Sequence, residues 1–158
     1  LAFAYALRRD LIRMTGLRVE GGLFAHPDAA RIAGLPVEAL LGLRFSRRKA
    51  EYLLHAATEV ASGRLCLEGR PTATGLARDL LALRGCGPWT AQYVLMRGLG
   101  FRDCVPVGDA GLTLALQRWF QLEARPGPAE TQALMAPFAP HRSLATFHLW
   151  SSLKGTPA

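Results

Sequence analysis

The stretch Leu83-Arg84-Gly85-Cys86-Gly87-Pro88-Trp89-Thr90-Ala91 limits the folds open to this chain more than any other. It reads as a tight turn between two helices. Before it, Leu76, Leu80 and Leu83 recur at helical spacing from Thr72; after it, Trp89, Tyr93 and Met96 share one face of a helix running to Leu99. The hairpin thus occupies about residues 72–99. Glycines at 85 and 87 allow positive φ and a close approach to another surface. Pro88 fits the first turn of the second helix. The backbone N–H groups of Gly85, Gly87 and Trp89 to Ala91 are then expected to lack intrahelical partners, and a phosphate oxygen suits such a gap. A plain glycine-closed corner between two helices accounts for the same residues.

The rest of the chain reads as helices and turns. Residues 1–15 form a first helix with Leu1, Tyr5, Leu11 and Ile12 on its buried side, ended by Gly16. No capping residue precedes Leu1, as expected of a chain that starts inside a helix. Two short helices follow, with Pro27 and Pro36 in their first turns and Gly34 and Gly42 as stops. Ser46 caps a longer helix whose stripe is Ala50, Leu53, Leu54, Ala57 and Ala61, ended by Gly63. After the hairpin, Asp109 precedes a helix with Leu112, Ala115, Leu116 and Trp119 inside. Residues 128–135 make a short helix and 143–153 the last one, with Leu144, Phe147 and Trp150 apolar; the tail 155–158 is expected to fray. No strand alternation or internal repeat is visible. The fold class is all-α, with 158 residues suiting one domain.

Charge points to a partner class. The net charge is +7, the pI is about 10.2, and all but two of the 19 basic residues are arginines, the exceptions being Lys49 and Lys154. Arginine suits phosphate, so the balance favours a polyanion. Arg44, Arg47, Arg48 and Lys49 gather at one helix start, where an anion would relieve them; a solvated basic face reads equally well. Cys66, Cys86 and Cys104 form no C-x-x-C pair, which suits a reducing cytoplasm and excludes a disulfide framework. The four histidines show no ligand spacing. No phosphate-binding G-x-x-x-x-G-K-[ST] run, G-x-S-x-G, signal peptide or membrane-length apolar run is present.

Two features could carry chemistry. Asp109 stands ahead of a helix, where backbone N–H groups and the helix dipole suit a negative oxygen; it could stabilise a sugar cation or serve only as an N-cap. Trp89 and Tyr93, four apart on one helix, together with Trp150, could stack on an extruded base or simply fill a core.

The hairpin followed eighteen residues later by Asp109 resembles the helix-hairpin-helix DNA glycosylase superfamily, and within it the 3-methyladenine DNA glycosylase II type. Arg47-Arg48-Lys49-Ala50 with Tyr52, residues 106–112, and Arg142-Ser143 running to His148-Leu149-Trp150 fit the same pattern across the chain. The resemblance implies a bacterial cytoplasmic monomer that flips a damaged nucleotide from double-stranded DNA and hydrolyses its N-glycosidic bond in base excision repair. Asp109 would be the essential carboxylate, and Trp89, Tyr93 and Trp150 the base pocket. Amides of Gly85, Gly87 and Thr90 would face a DNA phosphate. Carbonyls of Leu81, Leu83 and Cys86 would hold Na+ or K+. No other cofactor is implied: three scattered cysteines cannot hold an iron–sulfur cluster. Trp89 stands where glycosylase/lyase members carry a lysine, which implies a monofunctional hydrolase. A non-catalytic helix-hairpin-helix DNA-binding module is the alternative. The chain departs from the pattern at His141, where relatives have tryptophan, and at Ser151, where some have tyrosine. The wedge residue of relatives falls near the segment ahead of Leu1, so the resemblance assigns no wedge here.

Overall fold

A computed structural model describes residues 2–69 and 72–153. Leu1 and the tail 155–158 lie outside the described residues. The described residues are helical, and their only bridge is an isolated antiparallel one between Arg18 and Phe24. They form two compact units: residues 2–69 with 83–85, and residues 72–82 with 86–153. No described helix is long and apolar enough to cross a membrane.

The first unit holds α1 (Ala2–Thr15), α2 (Ala29–Ala33), α3 (Val37–Gly42) and α4 (Arg47–Ala61). Its core is Leu11, Ile32, Leu40, Ala50 and Ala57. Ala50 and Ala57 lie two turns apart on α4, and with so little side chain they let α2 and α3 pack closely against it. Ser46 caps α4, accepting from the Lys49 N–H at 3.4 Å. Two expectations fail here. Tyr5 is 61% exposed, because the inward stripe of α1 runs Leu7, Leu11, Thr15 and passes it by. Ala61 is exposed at the end of α4. The short helices also start differently: Asp28 caps α2 through the Arg31 N–H at 2.7 Å, and Pro36 is itself the cap residue of α3.

The second unit holds α5 (Ala73–Ala82), α6 (Pro88–Tyr93), α7 (Ala110–Trp119), α8 (Pro128–Met135) and α9 (Arg142–Ser152). Its core is Val105, Leu112, Ala115, Leu116, Met135 and Leu149. The second helix of the hairpin is not uniform: α6 passes into a π-helical turn at Val94–Gly98. The extra residue in that turn shifts the register, so Met96 is buried while Trp89 stays 41% exposed. Trp119 was expected inside, yet it is 65% exposed at the last turn of α7, its indole N–H bonded to Ser152 Oγ at 3.2 Å. On α9 the buried stripe is Ser143, Thr146 and Leu149, with Leu144 exposed. The hydroxyls of Ser143 and Thr146 find partners, so the polar residues turn inward without an unsatisfied group.

Candidate active site

The site is built on three elements of the second unit. Asp109 ends the loop from the hairpin and caps α7: its Oδ1 accepts the Leu112 N–H at 2.7 Å. That one bond is all an N-cap requires. Two further donors come from elsewhere in the chain. Trp150, on α9, donates its Nε1–H to Oδ1 at 2.8 Å, and Trp89, on α6, donates its Nε1–H to Oδ2 at 3.0 Å. Asp109 is half-buried, so its carboxylate remains within reach of a ligand.

The rings that hold the carboxylate also form a platform. Trp89 and Tyr93 sit with centroids 5.1 Å apart and Tyr93 and Trp150 6.1 Å apart, all tilted. Phe147 meets Trp150 edge-on at 5.7 Å, and the Arg97 guanidinium lies 5.3 Å from the Phe147 centroid. The structure therefore brings Asp109, Trp89, Tyr93 and Trp150 into one cluster. The cavity of about 510 Å³ in this unit, lined by Gln92, Asp103 and Arg142 among others, includes none of them. Three of its polar side chains already have partners: Arg142 pairs with Asp103, and Gln92 Oε1 accepts the Val105 N–H at 3.3 Å.

Sequence reasoning missed Gly111. A Cβ there would stand 3.1 Å from Asp109 Oδ1 and 3.1 Å from Trp150 Cδ1. The indole reaches the carboxylate because nothing projects from position 111. An Asp-x-Gly at a helix start is the available signal, and it is a weak one. Ser143 was missed as a fastener: its Oγ accepts the Cys104 N–H at 3.0 Å and donates to the Phe101 carbonyl at 2.7 Å. The Arg142 guanidinium, bonded to Asp103, holds that carboxyl below its ordinary value, and Arg142 is raised in return by the same bond. These contacts tie the loop leading to Asp109 onto the start of α9.

The backbone of the turn differs from expectation in two respects. Only Gly85 takes positive φ (89°); Gly87 is extended (φ −90°) and caps α6. The Ala91 N–H is not an orphan, since it donates to the Gly87 carbonyl at 3.0 Å, closing the first turn. Thr90 is half-buried on α6. In the first unit, a Cβ on Gly85 would fall 2.1 Å from Tyr52 Cδ2, so the Tyr52 ring lies directly on the turn; the Arg84 guanidinium is 5.9 Å from the centre of that ring. Of the expected carbonyl donors, Leu81 and Cys86 belong to the second unit and Leu83 to the first. Burial pushes the Cys86 thiol up.

Residues 2–140 match the HhH-GPD superfamily base excision DNA repair protein family. The chain belongs to this superfamily. A putative DNA-3-methyladenine glycosylase of Bacillus subtilis (strain 168) is 36% identical over 98% of this chain and 54% of its own length. A DNA-3-methyladenine glycosylase of the same organism is 33% identical over 97% of this chain and 52% of its own. Among solved structures, a 3-methyladenine DNA glycosylase from Archaeoglobus fulgidus superposes with a TM-score of 0.81 at 27% identity, covering 95% of this chain and 52% of that one. The HhH-GPD chain described here thus spans about half the length of the curated relatives it matches.

Proposed function

We propose that this chain carries the catalytic centre of a monofunctional DNA glycosylase that excises alkylated bases such as 3-methyladenine from duplex DNA. The observation that carries the reading is the Asp109 carboxylate set among three aromatic rings, with two indole N–H groups aimed at it. The names of the relatives support the substrate class. A module that only grips phosphate has no use for that arrangement, since capping α7 accounts for one of the three donors alone.

The chemistry follows from the charges. Methylation at a purine ring nitrogen makes the base cationic while it is still attached to the sugar. The C1′–N bond breaks with its electron pair going to the base, which leaves neutral, and positive charge develops on the sugar. A carboxylate beside C1′ stabilises that charge. Water then bonds to C1′ and gives up a proton, with Asp109 as the base that accepts it before solvent does. The products are a neutral free base, an abasic sugar bearing a hydroxyl at C1′, and one proton. The leaving base needs no acid, so one carboxylate suffices, unlike the two of most glycoside hydrolases. The exposed ring of Trp89 and the half-buried rings of Tyr93 and Trp150 offer faces on which a flipped base stacks. Strand cleavage is not expected, because tryptophan at position 89 offers no amine for a Schiff base.

The test is free-base release from a duplex with a single 3-methyladenine. The wild-type chain releases base; Asp109→Asn, which keeps shape and removes charge, releases at least about a hundredfold less, the scale of a lost charge-stabilising group. Equal release by both forms overturns the reading.

A further inference from the structure

The donors around Asp109 are unevenly divided between its two oxygens. An ionised carboxylate offers about four acceptor positions, two on each oxygen. Oδ1 receives two bonds, from the Leu112 N–H at 2.7 Å and from Trp150 Nε1–H at 2.8 Å. Oδ2 receives one, from Trp89 Nε1–H at 3.0 Å. Among the described residues no other donor meets either oxygen. Oδ1 is thus filled, and a single position on Oδ2 stays open.

We propose that Trp89 and Trp150 are positioning residues for Asp109, acting through their indole N–H groups rather than only through their ring faces, and that they leave Oδ2 as the oxygen that meets the sugar cation and the water. This rests on the glycosylase reading and deepens it. Three donors at three corners fix the carboxylate plane against rotation about the Cβ–Cγ bond. The Leu112 N–H alone allows that rotation, because it holds one oxygen. The two indoles come from α6 and α9, so the plane is set by both elements that flank α7 in this site. Gly111 serves the same end by leaving room for the Trp150 ring against Oδ1. A flipped base stacked on these rings lies beside a carboxylate whose open side is already oriented, and orientation of this kind is a recognised source of rate.

Substitution by phenylalanine separates the two roles of each tryptophan, since it keeps an aromatic face and removes the N–H. Trp89→Phe and Trp150→Phe are each expected to slow single-turnover base release at saturating protein by about tenfold or more, with duplex affinity held within about twofold. Release at the wild-type rate by both variants overturns the proposal. A second measurement does not depend on activity. The chain has three tryptophans, so its nitrogen–proton correlation spectrum carries three indole signals. Asp109→Ala is expected to move those of Trp89 and Trp150 and to leave that of Trp119, which is bonded to Ser152, in place. Three unmoved signals overturn the proposal even if the phenylalanine variants are slow. If the wild-type chain releases no base, the glycosylase reading fails, and the spectrum still decides whether the indoles hold Asp109.

Discussion

Trp150 Nε1 lies 2.8 Å from Asp109 Oδ1, a bond that spans 41 residues of sequence. It joins the final turns of α9 to the first residue ahead of α7. At the opposite end of α9, Ser143 and Arg142 hold the loop from Phe101 to Cys104. The last helix therefore grips the segment leading to Asp109 at two places, one structural and one at the carboxylate proposed to react. The expected consequences of this arrangement can be separated experimentally.

Gly111→Ala sets two effects against each other. In a helix, alanine for glycine normally adds about 0.4–1 kcal/mol, mostly by restricting the unfolded chain. Here the new methyl also falls 3.1 Å from both Asp109 Oδ1 and Trp150 Cδ1, so one of them must give by a few tenths of an ångström. Thermal denaturation is expected to show a midpoint near or above wild type, while base release drops by about tenfold, since misplacement of a reacting group is costly. A variant as active as wild type would show that the close approach has no role.

Ser143→Ala is expected to destabilise the fold. The change removes the acceptor of the Cys104 N–H, on a residue only 2% exposed. An unsatisfied buried donor costs about 1–3 kcal/mol. Denaturant unfolding would register this as a lower midpoint with an unchanged slope.

The Asp103–Arg142 pair gives a pH dependence with a definite sign. The hydrogen bond from Arg142 holds the folded Asp103 carboxyl below its ordinary 3.8. The unfolded chain takes up that proton at the ordinary value, the folded chain only at lower pH. The contribution is therefore complete above the ordinary value and lost as pH falls through the depressed one. Asp103→Asn is expected to lower the thermal midpoint at pH 7, and the gap to wild type should close only below pH 3.8.

Much of this was legible in the sequence because the signals are local. Ser46 and Asp109 act as caps through bonds three residues away, and the turn before Pro88 announces itself by composition. The failures share a physical cause. Trp119 is hydrophobic by residue type, yet burial depends on what faces it, and Ser143 and Thr146 go inside because hydrogen-bond partners satisfy their hydroxyls. The π-helical turn at Val94–Gly98 shifts register without any glycine or proline to mark it ahead of Gly98. The indole bonds to Asp109 span 20 and 41 residues, and no spacing rule reaches that far.

The turn at Gly85 should tolerate no side chain. Its φ of 89° disfavours an L-residue, and a Cβ would stand 2.1 Å from the Tyr52 ring. Gly85→Ala is expected to cost about 1–3 kcal/mol from the backbone conformation alone. Because the turn is proposed to face DNA, nonspecific duplex affinity at low salt should fall too, measurable by fluorescence anisotropy. Tyr52→Ala relieves only the contact, so the double variant should remain destabilised.

Base release from a duplex with one 3-methyladenine, compared between wild type and Asp109→Asn at matched DNA occupancy, tests the central claim most directly. The account predicts free base from wild type and a loss of at least about a hundredfold in the variant with duplex binding intact. Undiminished release by Asp109→Asn, or intact duplex binding by both forms with no base released by either, would contradict it.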